Sequence, residues 1–146
     1  MELPIVNHPD YVAKINDDNK FPIKKFGALA EYLLKEVVVR QFHIPKECSI
    51  KTMKTSHSLE YINHIKNKTL DQKLQKKIGF PINDSVVRRS FIATGGTVLA
   101  SKLALDSKLA CNTAGGSHHA TFDFGAGYCV FNDVAVAANY LKNKGY

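Results

Sequence analysis

Two histidines stand side by side in Gly115-Gly116-Ser117-His118-His119-Ala120, and a second glycine-rich stretch, Gly127-Tyr128-Cys129-Val130-Phe131-Asn132-Asp133, follows shortly after. Imidazole titrates near neutrality, so His118 and His119 are the candidates for acid–base chemistry. Neighbouring side chains on a strand point to opposite faces. Both rings address one substrate only from an irregular loop, which the preceding glycines permit. Gly125 and Gly127 let the main chain approach a ligand, Tyr128 offers an aromatic wall, and Phe124 or Phe131 offers a second. Cys129 is a candidate nucleophile if a histidine activates it, although a small buried thiol is the commoner state. Asp123 and Asp133 are candidate metal ligands; helix capping suits Asp133 better, and a solvated loop position suits Asp123.

The elements that must hold this loop follow from periodicity and capping. Residues 3–7 read as a first strand. From Lys25 to about Val39, Leu29, Leu33 and Val37, with Ala30 and Leu34, recur at helical spacing, and the β-branched run Val37-Val38-Val39 weakens the end. Ser49 to Met53 reads as a second short strand. Ser56 or Ser58 can cap a helix from about Leu59 to Asn67, and another helix runs over Leu70–Lys77. Asn83, Asp84 or Ser85 can cap a long helix over Val86–Asp106. Gly95-Gly96 interrupts it, which suggests a close neighbouring backbone or a kink. Leu109–Asn112 reads as a buried strand, residues 113–131 as the loop, and a last helix starts at an Asn132 or Asp133 cap, with Val134, Ala137, Ala138 and Leu141 on one face and Gly145 at its C-terminal cap. Strands between helices predict an α/β fold with a parallel sheet, in which a polar loop leaving the carboxyl end of a strand is where sites form.

Bulk properties exclude several classes. The 146 residues suit one domain or part of one, with 45% hydrophobic and 23% charged residues. The net charge is +7. Lysines cluster at Lys24-Lys25 and at Lys66, Lys68, Lys73, Lys76 and Lys77. They alternate with Asp71 and Gln72 around Leu70, Leu74 and Ile78, as on the solvated face of a helix, and no aromatic residues interleave to stack bases. Nucleic acid is therefore not the expected partner. Cys48, Cys111 and Cys129 are an odd number without CxxC spacing, which argues against a disulfide framework and a structural zinc site. Met1-Glu2-Leu3-Pro4 shows no leader pattern and no apolar run reaches the ~18 residues of a membrane span, so a cytoplasmic protein without membrane contact is expected.

The two glycine-rich segments together resemble the zinc-dependent histone deacetylase family, with its acetylpolyamine and acetoin-utilisation relatives, whose usual form is Gly-Gly-x-His-His-Ala followed by Gly-Phe-Cys-x-x-Asn-Asp. Phe21-Pro22-Ile23-Lys24-Lys25-Phe26 and His57-Ser58-Leu59-Glu60-Tyr61-Ile62 are similar to the family's earlier segments. Ile78-Gly79-Phe80-Pro81, Val87-Arg88-Arg89-Ser90 and Gly95-Gly96-Thr97 resemble the class IV and small bacterial deacetylases. The resemblance covers nearly all of residues 1–146, as the N-terminal part of a single domain. It implies the N-terminal portion of an arginase/deacetylase-type three-layer fold, a parallel sheet between helices, here truncated. It implies hydrolysis of an acyl-lysine or an acylated small amine by a zinc-bound water. His119 would be the main general base and acid, His118 would support the transition state, Gly127 would contact substrate through its main chain, and Tyr128 would take the place of the acyl-channel phenylalanine.

The family's zinc ligands, an Asp-x-His motif and a later Asp, have no counterpart before Tyr146. Zinc lowers the pKa of bound water from about 15.7 to about 7, worth on the order of 12 kcal/mol, whereas a histidine base contributes about 10²–10⁴-fold. Two adjacent histidines also fall short of the three protein ligands of a catalytic zinc site. The expectation is that residues 1–146 alone bind no zinc and hydrolyse no acyl-amine, and that a separately encoded C-terminal half is the partner that would restore activity. The alternative is a non-enzymatic remnant or binding module that uses the basic surface. An independent His- or Cys-based hydrolase is a third reading.

Overall fold

Strand β1 (Ile5–Val6) is buried and pairs in parallel with β2 (Cys111–Asn112), Ile5 opposite Cys111 and Val6 opposite Asn112. This computed structural model describes residues 3–146; Met1 and Glu2, where the leader reading begins, lie outside the described residues. On its other side β1 meets His43, whose N–H donates to the Ile5 carbonyl at 2.9 Å while Asn7 N–H donates to His43 at 3.2 Å. The expected strands over 3–7 and 109–112 are therefore present, each with a regular part of two residues, but the second is not buried as expected: Leu109 and Cys111 are exposed and Asn112 is half-buried. Cys111 N–H to Pro4 and Thr113 N–H to Val6 continue the ladder beyond them.

Among the described residues six helices surround this ladder: α1 (Lys25–Lys35), α2 (Ile50–Met53), α3 (Leu59–Asn67), α4 (Gln72–Ile78), α5 (Asp84–Ser107) and α6 (Asp133–Lys142), with a 3-10 turn over Pro9–Tyr11. Helix α5 is the spine, packing against β1, β2, the 3-10 turn and α6. Its cap is Asn83, whose side chain accepts the Val86 N–H at 2.9 Å. It runs unbroken through Gly95-Gly96, so of the two readings for that pair the close approach holds. A Cβ on Gly95 would collide with the Lys46 carbonyl oxygen, and one on Gly96 with the Tyr11 hydroxyl.

The structure corrects several local expectations. Residues 49–53 are helical, not a strand. Ser49 accepts the Thr52 N–H at 3.2 Å as a cap, and Met53 is driven fully into the core, which outweighs the β-preference of Ile50 and Thr52. Helix α1 stops at Lys35, and Val37 takes a left-handed φ of 55° that no helix continues through. Only Phe26 of α1 is buried, leaving the Leu29 and Leu34 stripe exposed. Ser58 caps α3, accepting Tyr61 N–H at 3.2 Å, and Asp71 caps α4.

Helix α6 is capped by Asn132, which accepts Ala135 N–H at 3.0 Å; Asp133 is its first residue. Its inward face is Asp133, Val136 and Ala137, while Val134 and Ala138 point to solvent, because Asp133 is drawn inward by the loop. Gly145, with φ of 90°, lies two residues past the actual cap at Asn143.

The core gathers Tyr11, Met53, Ile62, Ile65, Ile78, Ile92 and Val136, all fully buried. Lys66, Lys68, Lys73, Lys76 and Lys77 are exposed, as the solvated-face reading requires. Among the described residues no helix is long and apolar enough to cross a membrane.

Candidate active site

The loop after β2 is irregular from Thr113 to Phe131, and its shape is fixed from below by one carboxylate. Asp133, 2% exposed, accepts the Ser117 N–H at 2.7 Å and the Gly116 N–H at 3.1 Å, and also the Thr97 hydroxyl from α5. Thr97 in turn accepts Asn112 Nδ2 at 2.9 Å, and Asn112 Oδ1 accepts the Tyr11 hydroxyl at 2.8 Å. A buried polar chain thus runs from the 3-10 turn through β2 and α5 to the histidine loop. Burial pushes the Asp133 carboxyl above the ordinary range; the Thr97 hydroxyl and the main-chain N–H groups of Gly116, Ser117 and Val134 oppose that rise. Asp133 is therefore neither the helix cap nor a free metal ligand. It is the anchor of the loop, a role that spacing alone does not reveal.

From this anchor the histidines project together. The rings of His118 and His119 are exposed, with centroids 4.2 Å apart and planes at 43°. His118 Nδ1 lies 2.9 Å from the Gly116 carbonyl oxygen. A carbonyl only accepts, so Nδ1 carries the proton of the neutral ring and Nε2 keeps a free lone pair. His119 lies along Gly127: a Cβ there would sit 3.1 Å from His119 Cδ2 and 3.3 Å from Cγ. Gly127 also has φ of 54°, so both its conformation and its missing side chain serve the approach of the ring. Its own N–H is held by the Lys77 carbonyl at 3.0 Å.

Tyr128 follows with φ of 64° and its N–H on the Ile78 carbonyl at 2.7 Å. Its half-buried ring packs 5.0 Å from Phe21 and 5.3 Å from Phe80 and lies over Gly79, whose Cβ would meet it at 2.8 Å. The aromatic cluster that Tyr128 joins is thus assembled from Tyr128, Phe21 and Phe80. Phe131 belongs to the core instead, against His57, Tyr61 and Phe91, and Phe124 lies under the Lys77 ammonium at 4.9 Å. The cluster is backed by buried Arg89, whose guanidinium sits 4.8 Å from the Phe26 ring centre and 5.9 Å from that of Phe80 and whose Nε donates to the Tyr11 carbonyl at 2.9 Å. Desolvation lowers its pKa to about 10, against the attraction of Asp133 and other groups, and leaves it charged at neutral pH.

The other candidates separate from this group. Cys129 is buried, with Sγ 3.6 Å from the Gly127 carbonyl oxygen. Asp123 is exposed on the loop. Among the described residues no three His, Cys, Asp or Glu side chains gather in a way that could hold a metal ion. The donor set present, two histidines with His118 Nδ1 turned to a carbonyl, does not make a zinc site by itself. Two features escaped the sequence reading: the Tyr11–Asn112–Thr97–Asp133 chain, whose only signal was Thr97 directly after the paired glycines, and the buried His57 beneath the loop.

Comparison with known proteins places these features. The histone deacetylase domain model matches residues 20–146. An uncharacterized protein of Picosynechococcus sp. is 40% identical over 99% of this chain and 49% of its own length. Histone deacetylase 2 of Arabidopsis thaliana is 27% identical over 82% of this chain and 33% of its own. The acetoin utilization protein AcuC of Staphylococcus aureus is 25% identical over 90% and 37%. Among solved structures, a deacetylase homolog complexed with SAHA superposes with a TM-score of 0.80 at 20% identity, over 100% of this chain and 42% of that one. A homolog from Aquifex aeolicus gives 0.79 at 21% identity, with the same coverage. The chain thus spans half or less of the length of these relatives, and its fold is that of the deacetylase homologs.

Proposed function

Because this chain belongs to the histone deacetylase family, we propose that residues 1–146 supply the acid–base part of a site that hydrolyses an acyl-lysine or an acylated small amine. The observation that carries this reading is the pairing of His118 and His119, rings 4.2 Å apart, on a loop anchored by Asp133. His119, set against Gly127, takes a proton from the attacking water and returns it to the leaving amine. His118, with Nε2 free, supports the charge that develops on the carbonyl oxygen once it is protonated. The Gly127 carbonyl and the Tyr128 ring receive the acyl chain.

Zinc, which the family implies, would activate the water, but residues 3–146 offer no ligand set for it. The reading therefore calls for residues corresponding to the rest of the relatives' length, whether in the same polypeptide or in a partner, and expects no turnover from residues 1–146 by themselves. The cytoplasm is the proposed compartment, a reading supported by three free cysteines.

The test is release of acetate from an acetyl-lysine reporter, with residues 1–146 alone, with a zinc-loaded polypeptide covering the remaining length of a relative, and with the His119→Ala form of that mixture. Activity is expected only in the second. Full chelator-sensitive activity from residues 1–146 alone, or full activity after His119→Ala, overturns the reading. A binding module remains the second reading, favoured by the exposed Lys66, Lys73, Lys76 and Lys77. It predicts salt-sensitive binding to an anionic polymer without any turnover.

A further inference from the structure

His57 is 1% exposed and lies under the histidine loop. Its Nε2 is 2.9 Å from the main-chain nitrogen of Asn132. An amide nitrogen can only donate, so Nε2 must accept, and the neutral ring must carry its proton on Nδ1. That Nδ1 is buried with no hydrogen-bond partner among the described residues. A phenylalanine would fill the same space without stranding a donor. The position therefore makes sense as a histidine through the acceptor it offers to Asn132.

Asn132 passes that constraint upward. Its Nδ2 donates to the Ala120 carbonyl at 3.1 Å and to the His118 carbonyl at 3.3 Å, while its Oδ1 caps α6. These two carbonyls bracket His119. Two further bonds from the same stretch hold the other leg of the loop: Ser58 N–H to the Phe122 carbonyl at 3.0 Å, and the Tyr61 hydroxyl to the Val130 carbonyl at 2.6 Å. The His57-Ser58-Leu59-Glu60-Tyr61 stretch thus staples both sides of the loop to α3, and of its three bonds only the one from His57 depends on a group that titrates near neutrality.

We propose that His57 is a positioning residue for the tandem histidines: as the neutral Nδ1–H tautomer it fixes Asn132 and through it the main chain around His119, and its protonation releases that segment. Protonation would place an N–H on Nε2 against the Asn132 N–H, two donors face to face, so the proton and the loop geometry exclude each other. Burial lowers the pKa of His57, and the main chain of Thr121 and Phe122 offsets this only in part, neither being aligned for a hydrogen bond to Nδ1. Among the described residues no charged group faces the ring. Tyr61 of α3, 5.9 Å away, is neutral with its own pKa pushed up by burial. Asp133 of α6 is turned to Thr97, Gly116 and Ser117. Lys51 of α2, Lys54 just after it, Glu60 of α3 and Asp123 of the loop are exposed.

The importance of this contact for catalysis rests on the acid–base reading of His118 and His119, but its test needs no turnover, so an inactive preparation leaves it fully testable. Long-range proton–nitrogen spectra of residues 1–146 report the His57 tautomer, and amide spectra report Asn132, His118 and His119 in the same sample. The expected result is the Nδ1–H tautomer at neutral pH. On acidification His57 should titrate below the unperturbed value of about 6.5; the His118, His119 and Asn132 amides should shift with its midpoint, and the Asn132 amide, hydrogen-bonded to His57, should lose its exchange protection. His57→Gln keeps an acceptor that does not titrate, so it should retain Asn132 protection and lose the step. His57→Phe, which fills the space without an acceptor, should lack protection at every pH. An Nε2–H tautomer at neutral pH, loop amides indifferent to the His57 titration, or an unchanged step in His57→Gln would each overturn the proposal; the wild-type and Gln data decide it even if the Phe variant fails to fold.

Discussion

Replacing Gly127 by alanine should move His119 while leaving His118 in place. Two effects add. The backbone at φ of 54° is one that L-residues adopt at a cost of roughly 1–2 kcal/mol. The new methyl would also stand 3.1 Å from His119 Cδ2 and 3.3 Å from Cγ, inside the roughly 3.5–4.0 Å of an optimal carbon contact. The main chain has little freedom to give, because Gly127 N–H is tied to Lys77 at 3.0 Å and Tyr128 N–H to Ile78 at 2.7 Å. The exposed His119 ring is what yields, by a few tenths of an ångström. In a domain of this size about 1–2 kcal/mol lowers Tm by roughly 2–8 °C. Gly116→Ala is the matched control: its φ of 97° is also left-handed, but nothing lies within 4 Å of its would-be Cβ. It should cost stability through strain alone and perturb His118, whose Nδ1 faces the Gly116 carbonyl. Thermal unfolding by circular dichroism and the imidazole carbon–proton spectrum read both effects. Unchanged His119 signals in Gly127→Ala, or the same signals moved equally by Gly116→Ala, would refute the contact argument.

Thr97→Val keeps the shape of the side chain and removes the hydroxyl shared by Asn112 and Asp133; it should cost about 1–3 kcal/mol in denaturant unfolding, the scale of a buried group left unsatisfied, and raise amide exchange at Gly116 and Ser117. Val37→Asn relieves a β-branched residue held at φ of 55° and 70% exposed, so it should raise stability by about 1 kcal/mol. Gly95→Ala drives a methyl into the Lys46 carbonyl and should cost roughly 3 kcal/mol or more, seen as loss of the cooperative thermal transition. Alkylation followed by mass spectrometry should mark exposed Cys111 first and spare buried Cys129 and Cys48, the latter with its thiol pushed up to about 12 by burial. Below the unperturbed histidine value of about 6.5, the unfolded chain binds a proton that buried His57 resists, so stability should fall with acid from that point and reach its full loss below the folded pKa.

The sequence by itself determined the candidate site and its family. Adjacent histidines after paired glycines are local signals, and so are the caps of α3 and α5 and the helical periodicity of α4, because each depends on residues within a few positions of one another. It marked the paired glycines of α5 as special but left a close neighbour and a kink equally open. Which neighbour, and whether the helix bends there, was decided by the Lys46 carbonyl and the Tyr11 hydroxyl arriving from far along the chain.

The tertiary structure alone decided what holds the histidines. The sequence offers Asn132 or Asp133 as the cap of α6; Asn132 takes that role, and burial against Thr97 turns Asp133 into the anchor of Gly116 and Ser117. Residues 49–53 look like a strand by composition and become a helical turn because Met53 must reach the core. The sequence offers Phe124 or Phe131 as a second aromatic wall beside Tyr128, and only packing shows that Phe21 and Phe80 are its neighbours instead. In each case the deciding partner is distant in sequence, and the energy at stake, a desolvated carboxylate or a buried side chain, exceeds the local preference it overrides.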